Sequence, residues 1–303
     1  MTTLHNLGYR CINGAWRYSG RQAVFIGDLI DRGPLQVETV NIARSMVDAG
    51  SARIVLGNHE FNAIAWATRD PDASGEHLRR RTGGLGTKNR SQHAAFLDAV
   101  GEDSALHAEL AQWFTTIPLW LDLGGLRVVH ACWDHASMDV LRPLLNENDT
   151  SSAAFMVESS RRGQPAYESA EILLKGPEVP LPDGFAYCDK DGHPRHRARF
   201  AWWNREATTL RDGAEIPSGA RSLTGQPFPE LPVDPIAHLD LPRYTDDVPV
   251  SYGHYWRTGN PTTVSQTTAC VDYSAGKGDP LVAYRWSGEP TLSSENFVLF
   301  PDS

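Results

Sequence analysis

The stretch that decides the fold of this chain is Val24-Phe25-Ile26-Gly27-Asp28-Leu29-Ile30-Asp31-Arg32-Gly33. It predicts a short apolar strand that ends in a loop with three charged side chains. Further along, the apolar run Ile54-Val55-Leu56 opens into Gly57-Asn58-His59-Glu60. Open α/β sheets place their active sites at the carboxyl ends of such strands. We therefore expect functional side chains at the ends of both strands.

Two later segments repeat this pattern of an apolar strand followed by a polar side chain. They are Val128-Val129-His130 and Val250-Ser251-Tyr252-Gly253-His254. The four strand ends thus present the set Asp28, Asn58, His130 and His254. Carboxylate, amide and imidazole groups are ligands of divalent metal ions. We expect these four residues to bind metal, with Asp28 able to bridge two ions.

Residues 23–58 predict a strand-helix-strand unit. Val37, Val40, Ala43 and Val47 share one face of the intervening helix. Such a unit implies two parallel strands with a right-handed crossover. Elsewhere we expect two helical pieces over 91–118, a β-hairpin over 119–131, and strands near 248–252, 268–273, 281–286 and 297–300.

The composition is that of an ordinary globular protein. The 303 residues are 41% hydrophobic and 21% charged, and the net charge is −9. This acidic balance argues against a stable complex with nucleic acid or an anionic membrane. It leaves room for a small phosphorylated partner, because a bound cation supplies local positive charge.

Cysteine usage and hydropathy indicate the cellular environment. The four cysteines are widely spaced and form no C-x-x-C pair, so neither a disulfide framework nor a thiolate zinc site is expected. No run reaches the length of a membrane span or of a signal-peptide core. We expect a cytoplasmic protein without membrane partners.

One segment departs in character from the rest of the chain. Over residues 146–247 glycine, proline, aspartate and arginine become frequent and the hydrophobic periodicity weakens. Such segments within a compact domain are usually lids or binding loops. We therefore predict a single domain over residues 1–303, with a lid or insert at 146–247.

The loop residues between the proposed metal ligands suit acid catalysis on a phosphate ester. His59 could protonate a leaving alkoxide, and Asp31 could orient its ring through the other nitrogen. Arg32 could bind phosphoryl oxygens with its planar fork. Asn58 and His59 are adjacent on what is expected to be an extended segment. Their side chains should therefore point to opposite sides, which argues against His59 as a metal ligand.

The motifs G-D-x-x-D-R-G, G-N-H-E, V-H and G-H occur here in an order that resembles the calcineurin-like metallophosphoesterases. The resemblance is to PPP-type serine/threonine phosphatases and bacterial dinucleoside-polyphosphate hydrolases, over residues 22–135 and 248–286. It implies an α/β fold, a two-sheet α/β/β/α sandwich. It also implies two divalent ions, Mn²⁺ or Fe, Zn or Ni. By resemblance, the bridging ligand is Asp28, the second-ion ligands are Asn58, His130 and His254, the acid dyad is His59 with Asp31, and the phosphate clamp is Arg32.

Two parts of the chain depart from the family pattern. The family opens with a strand that ends in G-D-x-H-G, whereas Met1 to Tyr9 is similar to the tail of the following helix. We expect that first strand to be missing, through truncation or a start assigned too far downstream, and expect one metal ion instead of two. Asp191-Gly192-His193 mimics D-x-H, but it lies in a polar loop and is not expected to bind metal. Asp272-Tyr273-Ser274 stands where the polyphosphate hydrolases have D-T-G.

The substrate contacts are less defined by sequence. Arg195, Arg197, Arg199, Trp202 and Lys175 could bind phosphate and stack on a base. Alternatively, the tryptophans anchor the insert and the arginines are solvated. Glu60 is expected to hold backbone near the site.

We expect metal-dependent hydrolysis of phosphoesters or phosphoanhydrides, acting on a phosphorylated small molecule, a dinucleotide or a phosphoprotein. One alternative is hydrolysis of diadenosine polyphosphates specifically. Another is a truncated, weakly active or inactive phosphate-binding remnant. Asp134 and His135, just after the His130 strand, could either support the site or be ordinary loop residues.

Overall fold

The computed structural model describes residues 2–188 and 192–300. The helices are α1 (Thr2–Asn6), α2 (Gln36–Asp48), α3 (Asn58–Ala67), α4 (Gly83–Val100), α5 (Ala105–Phe114), α6 (His135–Leu141), α7 (Ala153–Glu158), α8 (Pro165–Lys175) and α9 (Leu210–Gly213). The strands are β1 (Arg10–Ile12), β2 (Ala15–Arg17), β3 (Ala23–Phe25), β4 (Ala52–Ile54), β5 (Trp120–Asp122), β6 (Arg127–Val129), β7 (Glu178–Pro180), β8 (Tyr187–Cys188), β9 (Pro194–Arg195), β10 (Arg197–Phe200), β11 (Ala214–Glu215), β12 (Arg221–Ser222), β13 (Val250–Tyr252), β14 (Thr268–Cys270), β15 (Leu281–Tyr284) and β16 (Phe297–Phe300).

The strand-helix-strand unit predicted from the opening stretch is present. Strands β3 and β4 pair in parallel, and α2 crosses between them. Helix α2 buries Val40, Ala43 and Met46, so the fully buried face ends on Met46 instead of Val47. Parallel pairing brings the carboxyl ends of β3 and β4 to the same edge, where Asp28 and Asn58 follow.

A four-stranded sheet carries the two histidine segments. Its order is β14-β13-β6-β5, with β13 parallel to both β14 and β6 and with β5 antiparallel to β6. The β5–β6 pair is the hairpin expected over 119–131. The backbone N–H of Leu56, after β4, donates to the carbonyl of Pro118, before β5, over 2.8 Å. This bond joins the β3–β4 pair to the larger sheet. Together the helices and strands form a mixed α/β fold.

The core lies between this sheet and the surrounding helices. Its largest fully buried side chains include Phe96, Phe114, Phe155, Trp202 and Tyr252. Burial of this much apolar surface is the main favourable term in folding. No helix in the described part of the chain is long and apolar enough to cross a membrane.

The segment predicted as a lid has two parts. Helices α7 and α8 come first and contribute Phe155 and Leu173 to the main core. The remainder forms two small antiparallel sheets, β11-β10-β7 and β12-β8-β9. Only this second part, from Glu178 onward, has the irregular character that the composition of residues 146–247 indicated.

Candidate active site

The four predicted metal-binding side chains lie together at the ends of their strands. One ligand atom from each of Asp28, His130 and His254 lies within 4.8 Å of the other two. The His130 Nε2 atom is 3.4 Å from Asp28 Oδ1 and 3.2 Å from Asn58 Oδ1. Asn58, His130 and His254 are buried, and the Asp28 side chain is one-fifth exposed. We call these four residues the metal cluster.

The backbone at this site is strained. Asp28, Asp31 and His254 have φ values of 56°, 72° and 66°, in the left-handed region that residues other than glycine rarely adopt. Each such residue costs on the order of 1–3 kcal/mol, so the surrounding structure must hold it in place. Strain of this kind concentrates at functional sites, and here it sets the direction of three polar side chains.

A close approach between two glycines brings the strand ends together. A Cβ atom on Gly27 would lie 2.5 Å from the backbone nitrogen of Gly57. A Cβ atom on Gly57 would lie 2.4 Å from the backbone nitrogen of Asp28. The glycines of the two sequence motifs are therefore required because the loops after β3 and β4 touch backbone to backbone.

Glu60 holds the same contact from the helix side, as expected from sequence. Its carboxylate is fully buried and accepts from the backbone N–H groups of Asp28, Leu29 and Gly57, over 2.8, 2.7 and 3.1 Å. Burial and the neighbouring Asp28 carboxylate raise the pKa of Glu60, against the lowering effect of these donors. Helix α3 thus fixes the loop that carries Asp28.

The surroundings of His130 suit a cation. Its Nδ1 donates to the carbonyl of Ile26 over 2.6 Å, which leaves the lone pair of the neutral ring on Nε2. That lone pair faces oxygen acceptors of Asp28 and Asn58. Two ligands bound about 2.1 Å from one ion lie roughly 3.0–3.4 Å apart, which matches the observed spacings. A metal ion bound at this point would give these acceptor atoms a positively charged partner.

The pKa values of His130 and Asp28 also indicate that a positive charge is favoured at this site. Burial alone would lower the pKa of His130, but the Asp28 carboxylate outweighs it and raises that pKa to about 9. Burial alone would raise the pKa of Asp28, but His130 and His59 lower it further than burial raises it. The site therefore favours a carboxylate beside a cation, whether proton or metal.

His254 is bound to an arginine of the insert. Arg199 donates to the His254 carbonyl over 2.7 Å and to its Nε2 over 3.0 Å. The Nδ1 atom of His254 is buried and has no hydrogen-bond partner among the described residues. Burial and the Arg199 charge lower the pKa of His254, so the ring is neutral and offers one lone pair. Arg199 and a metal ion therefore compete for that lone pair.

The His59–Asp31 pair, predicted from sequence as an acid dyad, lies beside the metal cluster. His59 Nδ1 lies 2.8 Å from Asp31 Oδ2, and its Nε2 lies 3.9 Å from Asp28 Oδ2. Burial lowers the pKa of His59, but the Asp28 and Asp31 carboxylates raise it overall. The Nε2 atom of a protonated ring would thus point toward the metal cluster.

From sequence, we expected the Asn58 and His59 side chains to point apart because they lie on an extended segment. That reason is wrong. These residues do not lie on an extended segment, because helix α3 begins at Asn58. Successive helical side chains are rotated by about 100°, which still directs the two side chains apart. His59 therefore reaches Asp31 while Asn58 reaches His130.

His93 of α4, which no sequence motif indicated, also contacts Asp31. Its Nδ1 lies 2.8 Å from Asp31 Oδ1 and 2.9 Å from Asp31 Oδ2. His93 shares the buried face of α4 with Phe96, Leu97 and Val100. A polar ring on an apolar helical face was the available signal, but the sequence does not show which group it meets.

Of the predicted substrate residues, two arginines lie near the cluster. The guanidinium of exposed Arg32 is 5.4 Å from the ring centre of Trp256, and that of Arg199 is 4.9 Å from the same ring. Arg197 instead pairs with Glu178. Arg32 and Arg199 therefore both approach the ring of Trp256, two residues after His254.

The other predicted contacts have structural partners. Trp202 is fully buried and donates to the Ala131 carbonyl over 3.0 Å, as in the anchoring alternative, and presents no surface to a base. Lys175 pairs with Glu171 on α8. Arg195 lies in the short exposed strand β9.

Asp134 and His135 have contacts outside the metal cluster. Asp134 caps α6. His135 is the first residue of α6 and bonds Asp246, so both side chains have structural contacts. Asp191 falls outside the described residues, and His193 is exposed.

Curated relatives share sequence with part of this chain. The symmetrical bis(5'-nucleosyl)-tetraphosphatase of Aromatoleum aromaticum is 33% identical over 106 residues, which are 35% of this chain and 32% of the relative. The asymmetrical bis(5'-nucleosyl)-tetraphosphatase PrpE of Bacillus subtilis is 43% identical over 137 residues, which are 43% of this chain and 51% of the relative. The chain thus spans about half or less of the length of these relatives.

This chain is also similar to a solved structure and matches a protein family. The structure of a provisionally assigned diadenosine tetraphosphatase aligns with a TM-score of 0.43 and 14% identity, covering 99% of this chain and 86% of the other. Residues 9–175, more than half of the chain, match the family described as calcineurin-like phosphoesterase. This range contains Asp28, Asn58, His59 and His130. The chain therefore belongs to the calcineurin-like phosphoesterase family.

Proposed function

We propose that this protein is a metal-dependent hydrolase of phosphoesters or phosphoanhydrides, with dinucleoside polyphosphates as its substrate class. The observation that carries the proposal is the position of the His59–Asp31 dyad beside the Asp28–His130–His254 cluster. An acid and a cation site in contact are what cleavage of a P–O bond requires. The substrate class is supported by the names of the relatives, which include symmetrical and asymmetrical tetraphosphatases.

The residues present fit one divalent ion. Asp28, Asn58, His130 and His254 would hold it, with Mn²⁺ the ion expected and Fe, Zn or Ni as alternatives. When bound, the ion supplies activation of water and neutralisation of phosphoryl charge. Among the described residues no second group of three metal-binding side chains occurs within such a distance. We therefore propose one ion in the chain as described.

The protein side chains divide the remaining work. His59 gives its Nε2 proton to the departing oxygen, while Asp31 holds the opposite ring nitrogen. Arg32 binds phosphoryl oxygens at the exposed edge of the site. We further infer that the two groups of strands form the two-sheet sandwich of the family. The lid at residues 146–247 remains a prediction, and Arg199 is its contact with the metal cluster.

The test is a comparison of two substrates under one metal condition. The protein is incubated with Mn²⁺ and either diadenosine tetraphosphate or a phosphoserine peptide, and products are separated by ion exchange. We expect nucleotide release, with two ADP indicating symmetrical cleavage and ATP plus AMP indicating asymmetrical cleavage. Asp28→Asn should abolish it, whereas Asp240→Asn, at an exposed position of the insert, should not.

Other outcomes would count against the proposal. Faster phosphate release from the peptide would move the substrate class to phosphoproteins. No turnover of either substrate with Mn²⁺, Fe²⁺, Zn²⁺ or Ni²⁺ would favour the inactive phosphate-binding alternative.

A further inference from the structure

The carboxylate of Asp31 is shared between two histidines. His59 Nδ1 lies 2.8 Å from Oδ2, and His93 Nδ1 lies 2.8 Å from Oδ1 and 2.9 Å from Oδ2. The backbone N–H of Asp31 also donates to Gln36 Oε1 over 2.7 Å. The Asp31 side chain is only 3% exposed. The side chain that orients the proposed acid is therefore itself held from a second direction.

His93 is buried in an aromatic environment. It is 1% exposed, and its ring centre lies 5.1 Å from that of Phe96 and 6.1 Å from that of Trp66. Its Nε2 has no hydrogen-bond partner among the described residues. A buried polar ring is costly unless it is hydrogen-bonded, and among the described residues this ring bonds only Asp31. An apolar residue would fill this space without that cost.

Asp31 has a particular need for such support. Its φ of 72° places it in the strained left-handed region, so its own backbone does not favour the observed orientation. A carboxylate with one partner can rotate about its terminal torsion, whereas two N–H donors on different helices, α3 and α4, define its plane. The direction of the His59 ring then follows from that plane.

We propose that His93 is a positioning residue for the reaction. It holds the Asp31 carboxylate so that His59 keeps its Nδ1 proton on Asp31 and directs Nε2 toward the leaving group. His93 makes no hydrogen bond to the metal cluster among the described residues. This role rests on the proposed function, since it needs a leaving group that takes a proton from His59.

The experiment compares variants that differ in the donor at position 93. His93→Phe and His93→Leu remove the donor and fill the aromatic space, whereas His93→Asn retains an N–H donor near the Nδ1 position. The matched control is His107→Phe, because His107 is also buried and packs on Phe96 at 6.0 Å. Among the described residues its hydrogen bonds are to Asp103 and Ser104, not to Asp31.

The kinetic readout is the dependence of kcat on the leaving group. With a poor leaving group, such as phenyl phosphate, the donor-free variants should lose about tenfold to a hundredfold in kcat with KM unchanged. With p-nitrophenyl phosphate, whose leaving group departs without a proton, the loss should be less than about threefold. His93→Asn should recover most of the activity, and His59→Asn combined with His93→Phe should lose no more than His59→Asn alone. His107→Phe should show no leaving-group dependence.

A second readout does not depend on turnover. In nitrogen-15 spectra of the imidazole groups, the Nδ1 proton of His59 should be observed downfield in the wild type and in His93→Asn. In His93→Phe and His93→Leu it should be lost to exchange. If the wild type shows no turnover but the proton behaves in this way, the proposed function fails while the positioning contact stands.

Several results would overturn the inference. They are an unchanged His59 proton in both donor-free variants, an equal loss on the two leaving groups, or a His93→Asn variant that resembles His93→Phe. If His93→Phe does not fold, His93→Leu and His93→Asn make the same comparison. Metal content and melting temperature are measured for each variant, so that a general loss of structure is recognised.

Discussion

The carboxylate of Glu60, three residues into the helix after β4, accepts a 2.8 Å hydrogen bond from the backbone N–H of Asp28, at the end of β3. Two further backbone donors, at Leu29 and Gly57, meet the same buried carboxylate. One acidic side chain therefore ties the backbone at Asp28 to the neighbouring strand end. This bond helps to hold the metal cluster together. The backbone at Asp28 is strained, and an acceptor outside the loop keeps it in place.

Glu60→Gln should destabilise the protein and weaken metal binding together. The amide offers one acceptor and turns a donor toward backbone N–H groups, so we expect a loss of about 2–4 kcal/mol in the free energy of unfolding. Urea unfolding with and without Mn²⁺ measures it. Glu158→Gln, an exposed change at the end of α7, is the control. A difference from wild type below about 0.5 kcal/mol would contradict the role assigned to Glu60.

Metal should bind with a stoichiometry of about one and should stabilise the fold. Titration with Mn²⁺ after chelation should show one tight site, and an ion at a hundredfold excess over its Kd should add about 2.7 kcal/mol of stability. His254→Ala should remove the tight site, whereas His135→Ala, an exposed change, should keep it. Two equivalents, or tight binding that survives His254→Ala, would refute this assignment.

His59→Asn should affect chemistry and not metal content. We expect a loss of about a hundredfold or more in turnover on a poor leaving group, and a smaller loss on p-nitrophenyl phosphate. Elemental analysis should show the wild-type amount of metal. The control is His238→Asn, at an exposed position of the insert. If His59→Asn empties the metal site, or reduces both rates equally, then His59 is not the general acid.

Arg199→Met should tighten Mn²⁺ binding. The guanidinium donates to His254 Nε2, so its removal frees that lone pair and deletes a nearby positive charge. We expect the Kd to fall about threefold to tenfold, measured from free Mn²⁺ by electron paramagnetic resonance. Arg197→Met, two residues away on β10 and paired with Glu178, should leave the Kd unchanged. Weaker binding in Arg199→Met would mean that Arg199 supports His254 instead of competing for it.

Acid should weaken a bidentate ion pair that lies away from the metal cluster. Arg161 binds Asp70 over 2.6 and 2.8 Å and lowers the pKa of that carboxyl from 3.8 to about 2. Because the folded-state pKa is the lower one, the stabilisation is complete above about pH 4 and disappears as the pH falls toward 2. Solvent screening limits it to about 1 kcal/mol.

The check is urea unfolding of wild type and Asp70→Asn from about pH 5 to about pH 3. The difference in unfolding free energy between the two proteins should shrink as the pH falls. Asp183→Asn, at an exposed position, should differ from wild type by the same small amount throughout. A difference for Asp70→Asn that stays constant over this range would show that the ion pair does not contribute.

The sequence by itself determined the strand ends and the family. Each residue predicted to bind metal follows a short apolar run, and such runs favour strands. The parallel β3–β4 pair and the family are confirmed. Gly27 and Gly57 belong to the sequence motifs. Only the structure shows why glycine is needed at these positions, which is that the backbones of two loops are in contact there.

Only the tertiary structure decided the contacts that cross between elements. His93 lies 62 residues from Asp31 in sequence, and nothing local to α4 indicates a carboxylate partner. The burial of Trp202 and the bond from Arg199 to His254 could not be predicted from sequence either. A segment rich in arginine and tryptophan can face either the solvent or the core. Local periodicity specifies which face of an element is apolar. The partner that a buried polar group meets depends on how the elements pack, and that is a property of the whole chain.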